Sequence, residues 1–364
     1  MSKKILHIID NLGLWWAQSV VKWIFETQES DKNIYLFSLR KVNISIKINH
    51  ENIIKNKTKF KFSFPIFKLK KIIKENDIDI IHCHLAKSQI IWWLLKTFFF
   101  PKIKLVFHEH WEIFEDGKIY PFFMNLFKNK LDLFIAVSNL TKKQILNKTK
   151  INENKIIVLY NFVDLNTFKK LDDFNIKKEK SRYDLKKDDF VIWFAARFIK
   201  RKWWLELLES AKLLKNKWYD FKFLLAWDWA DKEKIIEFII SNNLQKNVKI
   251  IWYVKDMAIF YNMIDVFVFP SHWEPLWLTW IEANACECPL IASNIEWLSE
   301  IIINKKSALL FKKQNPSDLS EKIIELFTEE KLKKDLIKWW LKEVKKYSLK
   351  KYLLELDETY SNLK

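Results

Sequence analysis

Apolar stretches of strand length alternate with longer segments of helical period along nearly the whole chain. That alternation predicts an α/β architecture with parallel sheets. In the first half, KKILHIID reads as a strand, Ala17 to Glu26 as a helix and NIYLFSL as a strand. Ile66 to Glu75 is helical. DIDIIHCH and KLVFHEH are strands with polar ends, and LDLFIAVS is a strand followed by a helix over Leu140 to Leu146. KIIVLYNFVD closes the half. The polar, Lys-rich stretch from Lys169 to Lys187 reads as a linker plus a helix. The alternation then restarts with DFVIWFAARF, FKFLLAWDW, VKIIWYV, DVFVFPS, CPLIASN and SALLF as strands, and Lys331 to Leu363 reads as helical. Two successive Rossmann-like domains are expected, one over residues 1–165 and one over 166–344.

A chain of 364 residues with 49% apolar content can bury two ordinary cores. Its three cysteines, Cys83, Cys286 and Cys288, are too few for a disulfide scaffold and fit a reducing compartment. Cys286 and Cys288 lack Cys-x-x-Cys spacing and have no second pair, so they read as buried thiols and not as zinc ligands. The opening MSKKILHIID moves directly into a strand and has no signal-peptide pattern. The longest apolar run, Ile90 to Phe100, is interrupted by Lys96 and is too short to span a bilayer. A net charge of +18 would suit an anionic partner. The lysines are dispersed, however, and no nucleic-acid motif accompanies them. Abundant Lys, Ile, Asn and Phe match an AT-rich genome, so the charge alone does not argue for nucleic acid.

One feature of composition changes the picture. The chain holds 2 Gly and 19 Trp, where usual glycine usage would give roughly 25. Reading every Trp as Gly would raise the count to 21. Trp15 and Trp16 follow the first strand, Trp203 and Trp204 follow RFIKRK, and Trp227 and Trp229 end a strand. Such strand-to-helix turns normally demand glycine. Overpacking costs about 1–3 kcal/mol per site, so ten such sites would cost on the order of 10–30 kcal/mol against a usual stability of 5–15 kcal/mol. The expectation is that UGA codons meaning glycine have been read as Trp. A protein truly rich in Trp is the alternative, and Trp273 is the best candidate for a genuine one.

The densest chemistry lies in PSHWEPLWLTWIEANA, residues 270–285, where Glu274 and Glu282 stand eight positions apart in number with seven residues between them. AARFIKRKWW supplies Arg197 and Lys202, and GLWWAQSVV a small-residue turn if Trp15 and Trp16 are glycines. His82 and His84 end one strand and His108 and His110 another. With Gly at Trp277 and Trp203, the first two segments closely resemble the E-x7-E and GRxxxxKG signatures of family-4 glycosyltransferases of the GT-B fold. HCHLAKS, with Ser88, is similar to that family's HxHxxxS, and NIEWLSE to its GGxxE segment, which brings in Glu300. Glu287, Ser307 and Phe162 depart from positions where the family shows glycine.

The resemblance implies two Rossmann-like domains with parallel sheets facing across a cleft. It also implies a C-terminal helix, at about 345–364, that crosses back to the first domain. It assigns Glu274 to the transferred sugar and Glu282 to the nucleotide ribose. Trp227 and Trp229 fall beside the nucleotide. Arg197, Lys202, Leu278, Thr279, Trp15 and Trp16 are assigned to the donor diphosphate. Cations fixed at a departing diphosphate stabilise the developing charge. His108 is assigned a place near the reacting carbon, with His110 an equal candidate, and His84 and Glu300 are supporting residues. The implied activity is a retaining, metal-independent hexosyltransferase that uses a nucleoside-diphosphate sugar, UDP-linked ahead of GDP-linked. No cofactor is implied, and the acceptor would be a glycan or lipid-linked sugar in surface polysaccharide synthesis. Alternatives stay open: a non-catalytic GT-B scaffold, an epimerase or phosphorylase on this fold, and zinc on the two His-x-His pairs. A cytoplasmic location follows. IIWWLLKTFFFPKIK reads either as a segment resting on an anionic inner membrane face or as a buried helix.

Overall fold

The apolar runs pair into two parallel sheets. The computed structural model describes residues 3–363 apart from 14–15, 29–30, 32, 41–45, 56–64, 111–118, 196–203, 227–231, 252–253, 255, 271–277, 296–297 and 299. The chain divides into unit 1, Met1–Asn161 with Lys350–Lys364, and unit 2, Phe162–Leu349.

In unit 1 the elements run β1 (Ile5–Ile9), α1 (Trp16–Thr27), β2 (Ile34–Ser38), β3 (Ile53–Lys55), α2 (Ile66–Glu75), β4 (Ile80–His84), α3 (Ala86–Phe98), β5 (Lys104–Glu109), α4 (Ile119–Phe127), β6 (Leu133–Ala136), α5 (Asn139–Lys148) and β7 (Ile156–Val158). The sheet order is β3-β2-β1-β4-β5-β6-β7, all parallel. All five residues of β1 and of β4 are buried, as expected of strands covered on both faces. In α3, Trp92 and Trp93 are buried and the Trp93 ring packs on Phe107 and Phe127. Lys96 is also buried and bonds Asp132. This stretch is therefore a core helix of unit 1, although Phe98 and Phe99 at its end are exposed. Among the described residues no helix is long and apolar enough to cross a membrane.

Unit 2 runs α6 (Asp173–Arg182), β8 (Val191–Ala195), α7 (Trp204–Asn216), β9 (Lys222–Ala226), α8 (Lys232–Ser241), β10 (Val248–Ile251), α9 (Met257–Met263), β11 (Val266–Phe269), α10 (Leu278–Ala285), β12 (Leu290–Ser293), β13 (Leu309–Phe311), α11 (Pro316–Thr328) and α12 (Glu330–Glu343). Its sheet order is β10-β9-β8-β11-β12-β13, again parallel throughout. The helical run expected from Lys331 to Leu363 is broken. A 3₁₀ turn at Val344–Tyr347 and an extended Ser348 separate α12 from α13 (Leu349–Asn362). Val163 causes the break: its N–H donates to Tyr347 O at 2.7 Å and its carbonyl accepts from Leu349 N at 3.0 Å. All but the first residue of α13 belongs to unit 1.

Five helices end in one geometry. The second residue past α2, α6, α7, α8 and α10 has positive φ: Asp77, Asp184, Trp218, Asn243 and Glu287. The next amide then donates five residues back, for example Tyr219 N to Leu214 O at 3.1 Å and Cys288 N to Ala283 O at 2.9 Å. This Schellman cap favours Gly, then Asn or Asp. Trp218, at φ 68° and 95% exposed, is the misfit of the set. Glu287, at φ 62°, shows that the departure from glycine noted in ACECP does fall on a left-handed turn. Buried Trp residues carry a different burden. Among the described residues the indole N–H groups of Trp92, Trp93 and Trp193 have no acceptor, at about 1–3 kcal/mol each.

Candidate functional site

Each sheet reverses its strand order once, between β1 and β4 in unit 1 and between β8 and β11 in unit 2. Ligands of open α/β sheets bind beyond the strand C-termini at such reversals. Among the described residues, the candidate histidines of unit 1 lie on or just past β4 and β5, at and beside the reversal between β1 and β4, and Glu282 lies on α10, the helix that follows β11.

In unit 2 the adjacent strands β9, β8 and β11 lead into the segments that carry Trp227 and Trp229, Arg197 and Lys202, and Glu274. These five residues, and Trp15, lie outside the described residues. Trp16 opens α1. After β11 the chain enters α10, where Leu278 is buried and Thr279 and Glu282 are half-buried. Their spacing of three puts Thr279 and Glu282 on one helix face. Tyr261, on α9, donates its hydroxyl to Glu282 Oε2 at 3.0 Å. Burial pushes the Glu282 carboxyl up to about 8, and the bond from Tyr261 works against that rise. A carboxyl held this way is protonated near neutrality, and hydrogen-bond donors on a ligand would favour its ionised form. The sequence did not single out Tyr261; its spacing to Glu282, 21 residues, follows no helical or strand period. Glu300 lies in a turn and, after burial and Glu343, helps raise the Tyr347 phenol to about 12. Cys286 and Cys288 are buried, and burial raises both thiols, Cys286 to about 12. Both are therefore poor nucleophiles.

Unit 1 gathers five histidines on one sheet face. His82 and His84 alternate on β4, His108 and His110 on and just past β5, and the parallel register sets His7 of β1 beside His82 and His84 beside His108. All five are at most 1% exposed. Ring centroids lie 4.3 Å apart for His82–His84, 3.9 Å for His108–His110 and 5.5 Å for His84–His108. A chain of contacts runs through them. His82 Nδ1 meets the Tyr360 hydroxyl at 2.5 Å, which reaches His7 Nε2 at 3.5 Å. His7 Nδ1 meets His84 Nε2 at 3.0 Å, and His84 Nδ1 meets His110 Nε2 at 2.8 Å. Burial drives His7 and His110 down to about 3. His82, His84 and His108 lie well below the usual range through burial and then the neighbouring rings. All five are neutral at neutral pH. Two of the participants, His7 and Tyr360, were not among the sequence candidates. His7 was detectable as the one polar residue in the ILHII run.

Two doubly wound parallel sheets, one in each unit, are the architecture of the GT-B fold. The comparisons with known proteins agree. A model of "Glycosyltransferase Family 4" matches residues 37–167 and one of "Glycosyl transferases group 1" matches 175–339. The chain belongs to the family-4-type GT-B glycosyltransferases. It is 32% identical over 233 residues to the capsular polysaccharide biosynthesis glycosyltransferase CapM of Staphylococcus aureus, a match covering 61% of this chain and 60% of that protein. It is 27% identical over 256 residues to an Escherichia coli enzyme named as UDP-Gal:alpha-D-GlcNAc-diphosphoundecaprenol alpha-1,3-galactosyltransferase, covering 67% and 65%. The fold superposes on Anabaena HepE, crystallised with UDP, with a TM-score of 0.81 at 17% identity, over 99% and 100% of the two chains.

Proposed function

We propose that unit 2 holds a UDP-linked sugar and that the enzyme transfers the hexosyl group, with retention, to a glycan or lipid-linked acceptor in surface polysaccharide synthesis. The observation that carries this reading is Glu282, a carboxyl poised on α10 at the strand reversal and held by Tyr261. A ribose diol supplies the donors that such a carboxyl lacks. Thr279, one turn earlier on the same face, and Leu278 would line the diphosphate end near the helix start, where backbone N–H groups favour anions. Arg197 and Lys202 would neutralise the departing diphosphate without a metal ion, and Glu274 would contact the sugar. The UDP bound by HepE and the donor and acceptor in the E. coli relative's name support the choice of substrates. Unit 1 is then the acceptor side. His108, placed by the resemblance beside the reacting carbon, is fully buried among the other four histidines, and would have to be uncovered to meet a substrate.

The test is product formation from UDP-sugars and a diphosphoundecaprenol-linked sugar, with the anomeric configuration of the product read by NMR. An extended glycan with the donor's anomeric configuration is expected. Inversion would overturn the retaining assignment. Interconversion of the donor without acceptor would instead indicate an epimerase.

A further inference from the structure

We infer that His84, His108 and His110 form a binding site for one borderline divalent transition metal ion of the Zn²⁺, Co²⁺ or Ni²⁺ type. One ring nitrogen from each comes within 4.8 Å of the others, and all three rings are sealed from solvent. Metal–nitrogen bonds of about 2.0–2.1 Å in a tetrahedral site place ligand atoms roughly 3.4 Å apart. His84 Nδ1 and His110 Nε2 already lie 2.8 Å apart, so metal binding would part these two slightly and keep His108 within reach of both. All-nitrogen ligation selects borderline metals over Mg²⁺ or Ca²⁺.

Hydrogen bonding identifies this set over the neighbouring one. His7, His82 and His84 also lie within ligand range of one another, but there His7 is bonded through both ring nitrogens and His82 through Nδ1, directly or through Tyr360. In the chosen set, neither nitrogen of His108 has a partner among the described residues, and Nδ1 of His110 has none. A neutral imidazole always keeps one N–H, so a wholly buried His108 leaves a donor and an acceptor unmade, at about 1–3 kcal/mol for each such group. An ion ligated by His108 takes up its acceptor.

Proton positions also fit. Ligation through His84 Nδ1 leaves the proton on its Nε2, which then donates to His7 Nδ1. His7 in turn donates from Nε2 to the Tyr360 oxygen, and Tyr360 donates to His82 Nδ1. The observed chain thus becomes the second layer of contacts that orients a ligating imidazole, and the ion replaces only the His84–His110 bond. Three neutral ligands leave a fourth position for water or an anion. The site ties β4 to β5. His108 cannot ligate the ion and meet the sugar at once, so retained metal would count against its place beside the reacting carbon, while the donor site proposed in unit 2 is untouched and loss of metal leaves that donor site standing.

The experiment is cobalt and zinc loading of the whole chain, followed by chelator dialysis, elemental analysis and visible absorption of bound Co²⁺. Wild type should retain about one equivalent with the absorption of a tetrahedral ion. His50→Gln, a histidine outside the cluster, should retain it too. His108→Gln should lose at least about tenfold in affinity. X-ray absorption on the wild-type zinc protein should count three imidazoles, which keeps the proposal testable if His108→Gln does not fold. Metal that dialyses away from wild type, equal retention in His108→Gln, or fewer than three imidazoles would overturn it.

Discussion

Replacing Trp218 by Gly should stabilise unit 2. Trp218 sits at φ 68° in the cap of α7, and its side chain is 95% exposed, so removing it forfeits almost no packing. An L-residue in the left-handed region costs about 1–2 kcal/mol. Glycine removes that cost but adds about 0.5–1 kcal/mol of unfolded-chain entropy. The net gain is about 1 kcal/mol, which for a unit of this length corresponds to a rise of roughly 2–4 °C in Tm. Trp218→Ala is the control: it deletes the indole but keeps the Cβ that clashes. Urea unfolding followed by far-UV circular dichroism should rank Gly above Ala, with Ala close to wild type. A Gly variant no more stable than the Ala variant would refute the reasoning. The same reading expects UGA at codon 218, and UGG at most Trp codons would end it.

Further outcomes follow from buried groups. Burial raises Glu206 to about 7 and leaves it 3% exposed. The folded state therefore holds a proton that the unfolded state releases above about 4.5, and stability should fall as pH rises from there through 7. Glu206→Gln should flatten that slope and gain up to about 3 kcal/mol at pH 8, read by denaturant titration at several pH values; an unchanged slope would count against it. Tyr360→Phe removes the hydroxyl shared by His82 and His7 and should cost about 1–3 kcal/mol in thermal melts, whereas a neutral result would mean that the chain is not maintained. If ribose donors ionise Glu282, UDP binding should release a proton and tighten up to about tenfold per pH unit between pH 6 and 8, with the dependence lost in Glu282→Gln.

The fold was legible because parallel strands buried on both faces read as unbroken apolar runs, and α2 ran over the residues its periodicity marked. The three-residue strand β3 was not legible, since Ile53 and Ile54 are too short a run to register. The break between α12 and α13 was hidden for another reason. No Gly or Pro marks it, and its cause is pairing with Val163, distant in sequence. At the candidate site, the His-x-His pairs drew attention to β4 and β5. Only the register could bring in His7, and only the return of α13 could bring in Tyr360. On the donor side, Thr279 and Glu282 share the face that their spacing implied, whereas Tyr261 reaches Glu282 from a separate helix.

The most direct test of a donor site in unit 2 is calorimetric titration of UDP into the whole chain and into its Glu282→Gln form at pH 8. Saturable one-to-one binding to wild type, weakened about tenfold or more by the substitution, is the predicted result. No binding to wild type, or equal affinity in both proteins, would contradict the assignment.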